Sequence, residues 1–365
     1  MVVLSDLLVD TDGSNFAYTM QMIQNVISQE NVPIDSDDSG VDLVVLMGST
    51  VNPDFQDQYQ GLFEQAVTYL KMMSIPWVST GALFRPTSAY TRSQLLAFDQ
   101  ASGDATFNGE AWSLSLSGRY NTDPNLGIYT QRIPVYNLAA TRQLLNLWIM
   151  DSQGGYSCNG NYNGKSCVNA SAVSWFQQQA AVNATTSLNQ DLMFTTNPLQ
   201  EFMTLSNNCG FKGNQNQPVC CEASNSGLFN AAQQAGNVEW IVSGSDASND
   251  FSGLYNTINL AMARKSGFSG NTGNLPKGAR VVRVNTRSEA IWTTSWVRDF
   301  NGNVYKQNTQ AEACNRTFDP TTNPNATAPP PVFQPQTQCC STYNQIADTN
   351  AAANRNLTAG QIVIQ

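Results

Sequence analysis

Leu43-Val44-Val45-Leu46-Met47-Gly48-Ser49-Thr50 opens with five apolar residues and stops on a glycine. A short run that is apolar on both faces, closed by a turn residue, reads as a central strand of a parallel sheet. The chain on either side fits that reading. Upstream, Leu4 to Val9 reads as another buried strand, and Asp12-Gly13-Ser14 offers an N-cap. A helix follows, with apolar Phe16, Met20, Ile23 and Ile27 spaced four, three and four. Downstream, Phe55, Tyr59, Leu62, Ala66, Leu70 and Met73 mark a second helix. Strands are expected near Pro76–Val78, Leu145–Met150, Leu192–Phe194 and Val238–Val242, with a helix around Ala172–Ala180. Strands alternating with helices imply an α/β fold. After Gly278 the pattern changes. Ala279–Val284, Ala290–Val297 and Val304–Lys306 read as antiparallel strands that finish a sheet.

The chain has 365 residues, enough for one large domain. Charged residues make up 12%, about half the usual share, so Asn, Gln, Ser and Thr must carry the polar surface. Net charge is −9 and the 18 Lys and Arg are scattered, which argues against a nucleic-acid partner. No apolar run approaches the ~18 residues of a membrane span. The chain starts almost inside its first strand and is read as a mature or trimmed form.

Two features point to the cell surface or beyond. Eight cysteines occur: Cys158, Cys167, Cys209, Cys220, Cys221, Cys314, Cys339 and Cys340. Five N-x-[ST] sequons occur, at Asn169, Asn183, Asn315, Asn325 and Asn356. Together they describe a secreted, N-glycosylated, disulfide-bonded protein. Cys158 and Cys167 are expected to pair around a small loop. The other pairings stay open, and no CxxC spacing suggests zinc. Residues 311–365 are read as an extension to a domain at 1–310. That extension contains the Pro/Thr-rich Asp319–Gln338 segment, flanked by cysteines, and ends in the β-prone Gln361-Ile362-Val363-Ile364-Gln365.

The chain contains no histidine. This removes Ser-His-Asp and Cys-His catalysis, and metal sites built on imidazole. Carboxylate chemistry is what remains. Asp35-Ser36-Asp37-Asp38-Ser39-Gly40 opens like a calcium loop, but its twelfth position is Leu46 rather than Glu. Gly164-Lys165-Ser166 lacks the first glycine of a P-loop. Asp6, Asp10 and Asp12 cluster around the first strand end, where one or two are expected to cap the following helix.

Five stretches, in order, resemble the motifs of calcineurin-like metallophosphoesterases of the purple-acid-phosphatase type. Ser5-Asp6-Leu7-Leu8 stands for Asp-x-His, and Met47-Gly48-Ser49 for Gly-Asp. Gly81-Ala82-Leu83-Phe84 stands for Gly-Asn-His-Asp, Thr196-Asn197-Pro198 for a later His motif, and Gly244-Ser245-Asp246-Ala247 for Gly-His-x-His. The resemblance implies a four-layer α/β/β/α sandwich of two mixed sheets flanked by helices. In active members two metal ions, roughly 3.5–4 Å apart, activate water at the strand ends. Carried over position by position, only Asp6 survives. Leu8, Ser49, Ala82, Leu83, Thr196, Ser245 and Ala247 replace the remaining ligand and catalytic positions, and Phe84 replaces an Asp.

The expectation is therefore a pseudoenzyme without metal or other cofactor. It would serve as a structural or adhesive glycoprotein, associating with itself or with other extracellular proteins, as in a subunit of an extracellular assembly or filament. Two alternatives are carried. One is a module binding a ligand in the vestigial cleft, unless Leu83 and Phe84 fill it. The other is a residual phosphoesterase with new carboxylate ligands among Asp6, Asp10, Asp246 and Asp250.

Overall fold

The computed structural model describes residues 1–32, 40–81, 90–104, 111–115, 126–137, 139–155, 166–183, 190–208, 210–222, 224–270, 273–286 and 292–307. The 311–365 extension, residues 35–39 of the calcium-like loop and residues 164–165 of the P-loop-like segment lie outside them.

Thirteen strands form two mixed sheets among the described residues. The first sheet holds β1 (Val2–Ser5), β2 (Val44–Met47) and β3 (Trp77–Ser79), all parallel. It is extended antiparallel by β11 (Gly278–Asn285), β12 (Trp292–Asp299) and β13 (Val304–Lys306). The second sheet centres on β5 (Gln143–Met150), β6 (Asp191–Thr195), β8 (Val238–Ser243) and β10 (Ile258–Met262), again parallel. Antiparallel β4 (Gln131–Tyr136) flanks β5 on one side. On the other side β9 (Asn249–Tyr255) pairs with β10, and β7 (Lys212–Gln215) pairs with β9.

Side-chain alternation sorts the apolar residues into three separate cores, and this gives the layer order. Val2, Leu4, Val44, Leu46 and Val281 pack outward against helices α1 (Gly13–Glu30) and α2 (Tyr59–Met72). Their immediate neighbours Val3, Val45, Met47 and Val282 point the other way, into a core shared with Leu147, Ile149, Leu192, Phe194, Val242 and Ala261 of the second sheet. From that sheet Trp148, Met150, Met193, Ile241, Leu260 and Met262 face a third core beneath helices α4 (Ala170–Asn183), α5 (Gln200–Asn207) and α6 (Leu228–Ala235). Helix, sheet, sheet, helix is the expected four-layer sandwich. The central strands β1, β2 and β6 are buried on both faces, which is why β2 shows no polar alternation.

The first strand ends earlier than its hydropathy indicates. Leu7 and Val9 are buried, but β1 stops at Ser5 because Asp6 and Leu8 adopt left-handed φ of 46° and 47°. Asp12 does cap α1, accepting the Ser14 N–H at 3.2 Å. The second helix begins at Tyr59, not Phe55. Asn52 and Pro53 start a separate 3-10 turn there, and Phe55 leaves helical geometry. Helix α3 (Arg92–Gly103) carries a reciprocal capping box between Thr91 and Gln94. No helix among the described residues is long and apolar enough to cross a membrane.

Candidate functional site

The parallel strands of both sheets end at one level. Ser5 pairs with Met47, Leu46 with Ser79, and Thr195 with Ser243. The residues immediately after these pairs therefore meet in the cleft, as the carboxyl ends of α/β strands commonly do. Several are in left-handed conformations: Asp6, Gly48 at 76°, Gly81 at 98° and Ser245 at 55°. Such strain clustered at strand ends marks a site that the surrounding structure over-determines.

Asp6 is the single carboxylate among the motif positions. Its Oδ1 accepts the Ser49 backbone N–H at 3.2 Å and the Ser245 hydroxyl at 3.4 Å. A Cβ on Gly48 would stand 2.2 Å from that oxygen, so the glycine is needed for the approach. Beside it runs a hydroxyl chain whose direction is fixed at both ends. Gly48 N–H donates to Thr80 Oγ1 at 3.2 Å, and Thr196 Oγ1 donates to the Gly81 carbonyl at 3.1 Å. Thr80 must then donate to Thr196 across 2.7 Å. Gly244 N–H closes the link from the second sheet by donating to the Thr196 carbonyl.

A cation completes the site. Lys265 follows β10 on a segment that crosses to the first sheet, where it bridges to Ser5. Ser266 N–H donates to the Ser5 carbonyl, and Gly278 N–H to the Lys265 carbonyl. Lys265 is buried, and its Nζ donates to the Asp6 carbonyl at 2.9 Å. Burial lowers its ammonium to about 8, against the opposing pull of Asp6 and Asp10. Burial likewise raises the Asp6 carboxyl, and Lys265, Ser49 and Ser245 oppose the rise.

The other carboxylates weighed from sequence are engaged separately. Asp10 accepts the Asp12 N–H at 3.0 Å. Asp246, pushed up to about 6 by burial, accepts from Gln217 and Asn249 side chains and from Ser248 N–H. Asp250 pairs with Arg264. Among the described residues no group of three or more His, Cys, Asp or Glu side chains is placed to hold a metal ion. The carboxylate cluster that a residual phosphoesterase would need is not formed by these four. A metal pair shared between anionic and imidazole ligands does not fit one carboxylate held by a backbone N–H and a hydroxyl, with a lysine ammonium bonded to its own main-chain carbonyl.

The structure thus brings Asp6, Ser49, Thr196 and Ser245 together. Leu8 stands half-buried beside Gly270, and Ala247 half-buried beside Gly273. Ala82, Leu83 and Phe84 lie outside the described residues. Sequence reading missed Lys265 and Thr80. A signal for Lys265 existed: Arg264-Lys265 directly follows the apolar run Leu260–Ala263 in a charge-poor chain.

The same turn of chain holds Lys277, whose ammonium is pushed down to about 7, first by burial and then by Lys265 and Arg264. The unfolded chain keeps this proton up to the ordinary lysine range, about 10.4. Between these values the unfolded state binds more protons, so stability rises with pH, by at most about 1.4 kcal/mol per unit. Thermal melts are expected to show a higher Tm at about pH 9 than at about pH 7.5, with a smaller rise in Lys277→Met. An unchanged or falling wild-type Tm over that interval would contradict the assignment.

Of the cysteines, Cys167 and Cys221 are disulfide-bonded. Cys220 is buried beside Cys221. Adjacent side chains project to different sides: Cys221 enters the core beneath the second sheet and Cys220 does not. Cys158, Cys209, Cys314, Cys339 and Cys340 lie outside the described residues, and with them the expected Cys158–Cys167 pairing. Asn169 is half-buried at the start of α4, its Oδ1 accepting the Ser171 N–H at 2.7 Å, and Asn183 ends that helix. Asn315, Asn325 and Asn356 lie outside.

No protein-family model matches the chain, and no curated protein matches it. Solved structures do. A dimetal phosphatase from Danio rerio aligns over 84% of this chain and 98% of its own, at 9% identity and a TM-score of 0.51. GAP50, the anchor in the inner membrane complex of Plasmodium, aligns over 85% and 89% at 12% identity, with a TM-score of 0.47. At 9% identity the likeness to the dimetal phosphatase concerns the fold, and the fold of this chain is metallophosphoesterase-like.

Proposed function

We propose that this protein is a non-catalytic member of the metallophosphoesterase-like fold, secreted and glycosylated, with a structural or adhesive role outside the cell. One observation carries the reading. Where a dinuclear centre would need a cluster of anionic ligands, no such group forms among the described residues, and Asp6 is bonded to Ser49 and Ser245 while its main-chain carbonyl accepts from the Lys265 ammonium. A fixed positive charge at that point repels an entering cation. Without cations, clustered carboxylates would repel one another, so hydroxyl and apolar replacements relieve the cleft.

The ligand-binding alternative receives no support from the same geometry. Asp6, Ser49, Thr196 and Ser245 are 8, 3, 5 and 9% exposed, and Asp6 Oδ1, the Ser49 N–H and the Thr196 and Ser245 hydroxyls are used within the site. The extracellular part of the reading rests on the disulfides at Cys167 and Cys221, the sequon at Asn169 and the low surface charge.

The test is metal analysis of the native glycoprotein together with hydrolysis of p-nitrophenyl phosphate in added Mn²⁺, Fe²⁺ or Zn²⁺. The expected result is no stoichiometric metal and no turnover above buffer. Two bound metals per chain with turnover abolished by Asp6→Ala would overturn the reading. Electron microscopy and light scattering of the same material test the structural role, with ordered self-assemblies or complexes as the expected outcome.

A further inference from the structure

We propose that the groove between the first turns of α1 and α2 is a carbohydrate site, holding one sugar ring through its hydroxyls. The inference deepens the adhesive part of the proposed function, on which it rests, and uses none of the motif residues at the cleft. Three observations carry it.

The first is room. The groove has a volume of about 280 Å³. Pockets for drug-sized molecules run from roughly 300 to 1,000 Å³, so this one suits a single ring. Two glycines line it, Gly13 opening α1 and Gly61 in the first turn of α2. A Cβ on either would meet nothing within 4 Å, and neither glycine has a left-handed φ. Neither packing nor backbone conformation therefore requires glycine here, and in a helix it is a poorer choice than alanine. A bare backbone does allow a ligand to approach closely.

The second is the chemistry of the walls. Half-buried Phe16 and buried Leu62 make the apolar part of the lining. Beside them stand the exposed Thr11 hydroxyl and the exposed Gln58 amide, neither of which bonds a described side chain. Gln65 donates to the Gly61 carbonyl at 3.2 Å, which leaves its Oε1 to accept from a ligand. A sugar ring offers the matching mixture: C–H faces that lie against an aromatic ring, and hydroxyls that both donate and accept.

The third is charge. No lysine or arginine lines the groove, so nothing there holds a phosphate or carboxylate ligand. Its one charged group is Asp10, 6% exposed, whose Oδ1 accepts the Asp12 N–H at 3.0 Å and whose other oxygen bonds no described residue. One carboxylate is too few for a calcium or magnesium ion. A carboxylate only accepts, and neighbouring sugar hydroxyls are neutral groups that supply donors to it.

A plainer reading makes the groove a gap between two helix starts, lined by ordinary surface residues. Saturation-transfer NMR on the full-length protein separates the two. The probes are methyl α-mannoside, methyl β-glucoside, methyl β-galactoside and N-acetylglucosamine. At least one is expected to bind with a Kd in the millimolar range or below. Gly61→Ala puts a methyl into the groove without touching the fold, and Gln58→Ala removes an exposed amide. Each is expected to weaken binding about tenfold or more, with the Tm of Gly61→Ala at or above wild type.

No transfer to any of the four probes would overturn the proposal. Binding that both variants keep at wild-type strength would also overturn it, by placing the sugar elsewhere. If Gly61→Ala fails to fold, Gln58→Ala alone decides. The outcome is independent of the metal and turnover assays. Wild-type protein with metals and turnover would sink the non-catalytic reading, whereas an inactive protein that binds none of the probes would sink only the sugar site.

Discussion

Arg264→Met is expected to destabilise the protein by about 3–5 kcal/mol, the range for removing one partner of a buried ion pair. The side chains of Arg264 and Asp250 are 2% and 0% exposed. Arg264 Nε and Nη2 both reach the Asp250 carboxylate, Nη1 donates to the Pro276 carbonyl at 2.9 Å, and the guanidinium lies 5.1 Å from the centre of the Tyr305 ring. One side chain therefore joins β9 of the second sheet, the approach to β11 and the edge strand β13 of the first. Methionine fills much of the volume but supplies no donor. Asp250 keeps its bonds from Asn214 N–H and Nδ2, both to Oδ1, and Oδ2 is left in the interior with its charge. Arg264→Lys restores charge but not the planar fork, and is expected to recover only part of the loss. Arg264→Met/Asp250→Leu, which removes both charges, should be more stable than Arg264→Met alone. Denaturant melts of the four proteins decide it. An Arg264→Met variant within about 1 kcal/mol of wild type would mean that Asp250 is compensated from elsewhere.

The cycle also shows what hydropathy could and could not reveal. β2 was legible because all four of its residues are apolar and buried. α1 was legible because Met20, Ile23 and Ile27 share a face and Asp12 caps it. β9 (Asn-Asp-Phe-Ser-Gly-Leu-Tyr) was not, because Asn249, Asp250 and Ser252 are completely buried. Apart from Asp246, their partners are Gln217, Arg264 and Gln307, which lie 32, 14 and 55 residues away, outside any local window. α6 is only eight residues long, and its glycine boundaries, Gly227 and Gly236 at φ of 80° and 71°, were the available signal. At the cleft, motif order placed Asp6, Ser49, Thr196 and Ser245, since strand ends can be read from where apolar runs stop. Lys265 could not be placed this way. Its ammonium is buried against a main-chain carbonyl 259 residues distant, and nothing local encodes that contact.

Gly267→Ala tests that long-range placement most severely, and it is expected to cost more than about 4 kcal/mol or to abolish secretion of folded protein. A Cβ at this position would stand 1.6 Å from the Leu7 carbonyl oxygen, 2.3 Å from its carbon and 2.8 Å from the Asp6 carbonyl oxygen. All three atoms are backbone, so no rotamer change relieves the overlap. The backbone of Gly267 is outside the left-handed region, and the penalty is therefore steric. Relief requires the crossing segment to lift from the end of β1, breaking the bonds from Ser266 N–H to Ser5 and from Gly267 N–H to Asp6. Gly61→Ala in the first turn of α2 is the control. Nothing lies within 4 Å of its added methyl, and alanine there should stabilise by up to about 1 kcal/mol. Yield, circular dichroism and Tm of the two variants measure the contrast. A Gly267→Ala protein melting like wild type would show that residues 264–267 do not lie against β1. The Lys265–Asp6 contact depends on that crossing and would be lost with it.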